Sequence, residues 1–294
     1  MDGAGGDAEQ QEGSRSMTFA RGVPVRDTIL WVDDTGEAHL PPIVCLHSLW
    51  LDGGMFDALV TAAKGRFRVI RPDFRGQGSS APATEDEVSM DCCAEDMIAL
   101  IETLDLPPVS LAAASMGGDV AVRMVARRPE LFCALVMLGS SVRGEPPEQL
   151  VRFTEFLDGA KEKGFVGDDL AMLMSIMFGA TTRAKPEARP MLDYWSKRLE
   201  LTPRSQWPAL MGVLNRPTAV PLLSEIKIPT LVFSGEDDIA RPPEWSQEVA
   251  NGVEDATLVS LKGVGHTPIL EAPDVVIPPA LDFIAQAART SAPA

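Results

Sequence analysis

The sequence predicts an α/β protein: a doubly wound, mostly parallel sheet of about eight strands with one inserted helical segment. Three observations carry this. Short unbroken apolar runs, such as Pro42–Leu46 and Ala134–Leu138, have the composition of strands buried on both faces. Stretches of near-helical spacing alternate with them, the beat of right-handed strand-helix-strand units. From about Glu145 to about Asn215 that beat stops and helical patterning continues without a strand.

In chain order, residues 1–16 are rich in Gly, Gln, Ser and acidic side chains with no apolar segment, and read as a disordered tail rather than a signal peptide. Thr28–Val32 is an early strand closed by the turn Asp33-Asp34-Thr35-Gly36. Pro42–Leu46 and Phe67–Arg71 are the next two. Ser89 caps a helix whose apolar positions include Met97, Ile98, Leu100, Ile101 and Leu104, with Asp91 and Glu95 facing solvent. Pro107-Pro108 ends it, and Val109-Ser-Leu-Ala-Ala-Ala114 follows as a strand that stops on Ser115. A helix then runs from Val120 to Arg128 until Pro129, and Ala134–Leu138 is another strand. Helical patterning at Gln149–Lys163, Asp168–Phe178, Pro190–Leu199 and Pro203–Leu214 fills the insertion. The sheet resumes at 227–235, the last strand is Ala256–Leu261, and a closing amphipathic helix has Pro278-Pro279 in its first turn. The predicted organisation is a core of 17–144 and 216–290 with a helical cap of 145–215.

Composition excludes several classes. The chain has 294 residues, 45% of them hydrophobic, enough to bury a large single core. Its formal charge of −16 disfavours nucleic acid and anionic membrane surfaces as partners. No run approaches the roughly 18 apolar residues of a membrane span, so a cytoplasmic protein, monomer or homodimer, is expected. Cys45, Cys92, Cys93 and Cys133 lack metal-ligand spacing and read as reduced packing residues; no metal and no cofactor is predicted.

Ser115 is the centre of the functional reading. It lies between small residues two positions before and after, Ala113 and Gly117, as a serine at the apex of a sharp strand-to-helix turn requires. His47-Ser48-Leu49-Trp50 follows the second apolar run, Asp73-Phe-Arg-Gly-Gln-Gly-Ser-Ser80 follows the next strand, and Gly235-Glu-Asp-Asp238 and Gly265-His266 follow the last two. With Met116-Gly117-Gly118, these segments resemble the nucleophile elbow, oxyanion loop, Asp-x-Arg-Gly turn and acid and histidine loops of the α/β-hydrolase superfamily. Ala113 and Ser48 stand where that family usually has Gly. The His47-Ser48-Leu49 loop with a later Met-Phe-Asp is similar to 3-oxoadipate enol-lactonase-like members.

The resemblance implies a triad of Ser115, Asp238 and His266 in the family's chain order, with Asp238 chosen over its neighbour Asp237 by family spacing. It implies an oxyanion hole built from the backbone N–H groups of Leu49 and Met116. His47 is read as a brace for its loop rather than a proton carrier. Ser48, Trp50, Phe153, Met174, Phe178 and Trp195 are the predicted substrate pocket. The expected activity is a serine hydrolase cleaving a small, mostly apolar ester or lactone through an acyl-enzyme. The same triad also serves enol-lactonases, carbon–carbon bond hydrolases and perhydrolases, and a ligand-sensing receptor with little turnover is the reading from another class. Arg152, Arg183, Arg189, Arg198 and Arg204 in the cap are the residues that an acidic substrate would need turned inward. The haloalkane-dehalogenase branch is excluded, because its elbow carries Asp.

Overall fold

Eight strands form one sheet in the order β1-β2-β4-β3-β5-β6-β7-β8 in the computed structural model, which describes residues 19–291. The tail assigned to 1–16 lies outside the described residues. The strands are β1 (Phe19–Val25), β2 (Thr28–Asp34), β3 (Pro42–Leu46), β4 (Arg68–Pro72), β5 (Val109–Ala114), β6 (Phe132–Leu138), β7 (Thr230–Gly235) and β8 (Ala256–Leu261). From β4 to β8 every pairing is parallel, whereas β1 with β2 and β2 with β4 are antiparallel. Strands β3, β5 and β7 are buried at every position, which is why they read as continuous apolar runs.

Helices flank the sheet: α1 (Asp57–Ala63), α2 (Met90–Thr103) and α3 (Met116–Arg127) precede β6. Between β6 and β7 lie α4 (Pro147–Lys161), α5 (Asp168–Met177), α6 (Ala180–Ala184), α7 (Arg189–Glu200) and α8 (Trp207–Leu214). The C-terminal part adds α9 (Pro243–Gly252), α10 (Pro268–Glu271) and α11 (Pro273–Ser291). The Ser89 hydroxyl caps α2 by accepting the Cys92 N–H at 3.0 Å. Burial pushes the thiol of Cys45 on β3 up to about 12, so it stays a neutral packing group.

Three expectations are corrected. Strand β1 has no counterpart in the sequence reading, because five of its seven positions are exposed and Gly22 and Pro24 interrupt its pattern. Pro278 and Pro279 lie inside α11 rather than in its first turn, since the helix starts earlier at Pro273. Asp91 is half-buried instead of facing solvent, held between the guanidinium groups of Arg123 and Arg127.

The Asp73–Ser80 turn braces the loops that carry the site. One Asp73 oxygen accepts the Gly53 N–H at 3.0 Å and the other the Ser79 N–H at 2.8 Å. Gly78, at φ +54°, lets the turn wrap this carboxylate, because a Cβ there would collide with it. Arg75 Nη2 donates to Asp96 at 2.7 Å and to Asp27 at 2.7 Å, tying the turn to α2 and to the β1–β2 hairpin.

Candidate active site

Ser115 follows β5 directly, Asp238 comes three residues after β7, and His266 five residues after β8. Parallel strands thus deliver all three to the carboxyl edge of one sheet, where open α/β folds bind ligands. Ser115 has φ 50° and ψ −112°, a left-handed conformation costing a non-glycine residue about 1–3 kcal/mol. Its own backbone holds it there: the N–H donates to Leu138 O at 3.0 Å, and the carbonyl accepts the Gly118 N–H at 2.9 Å. Helix α3 must start almost against β3, and Gly117 permits this, because a Cβ there would strike the Leu46 carbonyl.

The three side chains form one hydrogen-bonded chain. Ser115 Oγ lies 2.8 Å from His266 Nε2, and His266 Nδ1 lies 2.9 Å from Asp238 Oδ2. An ionised Asp238 only accepts, so the imidazole hydrogen sits on Nδ1 and Nε2 is left to accept from the serine. The other Asp238 oxygen takes the N–H groups of Ala240 and Arg241, both at 2.8 Å, which fixes the carboxylate. Asp237 faces away and accepts the Thr181 N–H at 2.9 Å, at the start of α6. Relative exposures of 6% for Ser115, 4% for Asp238 and 5% for His266 keep the chain nearly dry.

His47 braces its loop. Its Nδ1–H donates to Ser48 O at 2.8 Å and its Nε2 accepts the Phe74 N–H at 3.1 Å. Burial pulls its pKa below the ordinary 6.5, so the ring is the neutral donor-acceptor these two bonds require.

Ser115 and His266 open into a narrow cleft with a cavity volume of about 50 Å3. Ser48, Leu49, Trp50 and Phe153 line it, together with residues not expected there, among them Leu157, Ile176, Met177 and Leu210. Met174, Phe178 and Trp195 lie outside this wall. Met174 is turned about 200° around α5 from Ile176. Phe178 is fully buried in the core, and Trp195 packs edge-on against Tyr194 with Arg198 over its ring at 5.7 Å. The Met116 side chain turns to Gln77 Nε2, leaving its backbone N–H at the first turn of α3.

The five arginines of the insertion are exposed and lie outside the cleft wall. Arg198 pairs with Asp52, Arg204 donates to Glu162 O at 2.6 Å, and Arg183 to Phe178 O at 3.1 Å. Arg241 lines the cleft instead, paired with Glu145 at 2.9 Å. Behind them Arg216 joins the same Glu145 oxygen at 2.9 Å, and burial lowers Arg216 to about 10. The sequence reading missed this pair; its one local signal is an arginine directly following the acid loop.

Glu271 is a second omission. Its carboxylate accepts the N–H groups of Gly265 at 2.9 Å and Thr267 at 3.0 Å, on either side of His266. It also takes the Gly179 N–H at 2.9 Å, tying the histidine loop to the segment joining α5 and α6.

A family model described as the alpha/beta hydrolase family matches residues 43–278, and the chain belongs to that family. Among its relatives, an AB hydrolase superfamily protein, YisY, of Bacillus subtilis (strain 168) is 29% identical over 250 residues, covering 81% of this chain and 88% of YisY. The pimeloyl-[acyl-carrier protein] methyl ester esterase of Chromobacterium violaceum is 27% identical over 256 residues, covering 82% of this chain and 92% of the esterase. In structure, the chain is similar to the enol-lactonase from Burkholderia xenovorans LB400, with TM-score 0.81 and 25% identity over 90% of this chain and all (100%) of the lactonase. Among the described residues, no helix is long and apolar enough to cross a membrane.

Proposed function

We propose that this chain is a serine hydrolase that cleaves a small, mostly apolar carboxylic ester or lactone through an acyl-enzyme. The observation that carries the reading is the chain Ser115–His266–Asp238, with bonds of 2.8 and 2.9 Å, at the mouth of an apolar cleft. A serine hydroxyl is a poor nucleophile at neutral pH. His266 Nε2 takes its proton as Oγ attacks the carbonyl carbon, then returns that proton to the departing alkoxide. Asp238 holds the tautomer and stabilises the imidazolium. Water then attacks the acyl-enzyme by the same route and releases the acid.

The negative charge that builds on the carbonyl oxygen falls to the N–H of Met116, at the start of α3, and of Leu49. Losing one such donor costs about 100- to 1000-fold in rate. Helices α4 to α8, within residues 145–215, act as a cap over the cleft, and Phe153, Leu157, Ile176, Met177 and Leu210 form its apolar underside. Each substrate methylene buried there contributes up to about 0.8 kcal/mol until the narrow cleft is full. Neutral esters are therefore preferred over carboxylate-bearing ones, whose desolvation has no free cationic partner once Glu145 has taken Arg241.

The similarity to an enol-lactonase favours a second reading, enol-lactone hydrolysis with the same triad. A panel of p-nitrophenyl esters and lactones, with Ser115→Ala as control, decides. Repeated turnover lost in Ser115→Ala supports the proposal. A single burst that never turns over would instead support a ligand-sensing receptor, and a preference of tenfold or more for the acidic substrate would promote the enol-lactonase.

A further inference from the structure

Glu145 stands in the cleft wall with its side chain only 4% exposed. One of its oxygens, Oε1, takes both nearby cations, Arg216 Nη1 at 2.9 Å and Arg241 Nη2 at 2.9 Å. The other, Oε2, is buried and has no hydrogen-bond partner. A carboxylate oxygen removed from water without a donor is among the costlier features a fold can carry, and native structures supply the donor from somewhere. Neither neighbouring guanidinium donates to Oε2, although Arg216 Nη2 is itself buried without a partner. Arg216 Nη1 also donates to Val213 O at 2.7 Å, and Arg241 Nη1 to Ala240 O at 2.7 Å, so both guanidinium groups are anchored to backbone.

Val213, Leu214 and Leu210, which share the cleft wall with Glu145, have no side-chain donor. A molecule filling the cleft from Ser115 meets a mostly apolar wall in which Glu145 also stands. We infer that Glu145 is a specificity-determining residue, and that the preferred acyl group carries a neutral hydrogen-bond donor, a hydroxyl or amide N–H, that reaches Oε2. A substrate carboxylate would meet Oε2 with like charge, while a plain alkyl chain would leave it unpaired. The assignment rests on the ester hydrolysis proposed above and narrows its substrate class.

The test uses methyl hexanoate, the methyl hydroxyhexanoates with the hydroxyl at each successive carbon, and their O-methyl ethers, which keep the oxygen and remove the donor. Acid release is followed by titration. At one position the hydroxy ester should exceed both its ether and the unsubstituted ester in kcat/KM by about tenfold to 100-fold, the usual weight of a bond to a charged acceptor. In Glu145→Gln the hydroxyl-to-ether ratio should fall toward one. Equal rates across the wild-type series, or a preference that survives Glu145→Gln, would overturn the inference, and the wild-type series decides alone if the variant does not fold. Ligand-observed NMR affinities of the same esters for Ser115→Ala read the preference without turnover. A binding preference without hydrolysis would uphold Glu145's role and reject the hydrolase reading. Hydrolysis without any preference would do the reverse.

Discussion

At the residue scale, adjacent carboxylates have opposite tasks because the loop after β7 turns between them. Asp238 reaches His266 at 2.9 Å, whereas Asp237 holds the Thr181 N–H. Asp238→Asn is therefore expected to lower turnover by about 10⁴-fold, the size of the effect when a triad carboxylate is neutralised. Asp237→Asn should cost little, and the reverse ranking in steady-state rates would reject the assignment. His47 yields a prediction about stability. Its pKa in the folded chain lies below the ordinary 6.5, so as pH falls through 6.5 the unfolded chain takes a proton that the folded chain refuses. Stability is thus lost on acidification between 6.5 and the lower native value, with a slope of up to about 1.4 kcal/mol per pH unit. Urea midpoints of His47→Gln across that window should be flatter than those of the wild type by this amount; an unchanged slope would show that His47 does not titrate as its burial implies.

At the scale of elements, the histidine loop is positioned from the helix that follows it. Glu271, at the end of α10, grips the backbone on both sides of His266 and the Gly179 N–H beyond α5. Glu271→Ala should let the imidazole drift from Ser115 and lower kcat about 10- to 100-fold, since displacements near 1 Å have that effect. Glu271→Gln keeps an acceptor and should recover part of the loss. If kcat stayed level while only the melting temperature fell, Glu271 would be a stability residue and nothing more.

At the scale of the whole molecule, a charge of −16 sets a field that an incoming substrate crosses before it reaches the cleft. For a neutral ester, kcat/KM should be flat in added salt. For a carboxylate-bearing analogue it should rise several-fold as ionic strength goes from about 0.01 M to 1 M, where the screening length shrinks from about 30 Å to 3 Å. A salt-independent value for the anionic substrate would mean that the local Glu145–Arg241 pair, not the global field, decides how charge is met.

The strands buried on both faces, the helix capped by Ser89, and Ser115, Asp238 and His266 at strand ends were all legible in the sequence. The strands, the capped helix and the Ser115 turn are announced by residues within a few positions of themselves, whereas Asp238 and His266 were implied by the resemblance of their segments to the family's acid and histidine loops. Strand β1 was not legible, because an exposed edge strand containing Gly and Pro has no pattern apart from the partner it pairs with. Helical periodicity located α5 and α7 but not which of their faces meets the cleft, so Met174 and Trp195 were expected in a wall that Ile176, Met177 and Leu210 build. The contacts of Glu145 with Arg216 and Arg241, and of Glu271 with Gly179, join residues far apart in the chain. Local chemistry determined which groups stand at the sheet edge. The charge and hydrogen bonding around them depend on long-range packing, and only the tertiary structure decided those.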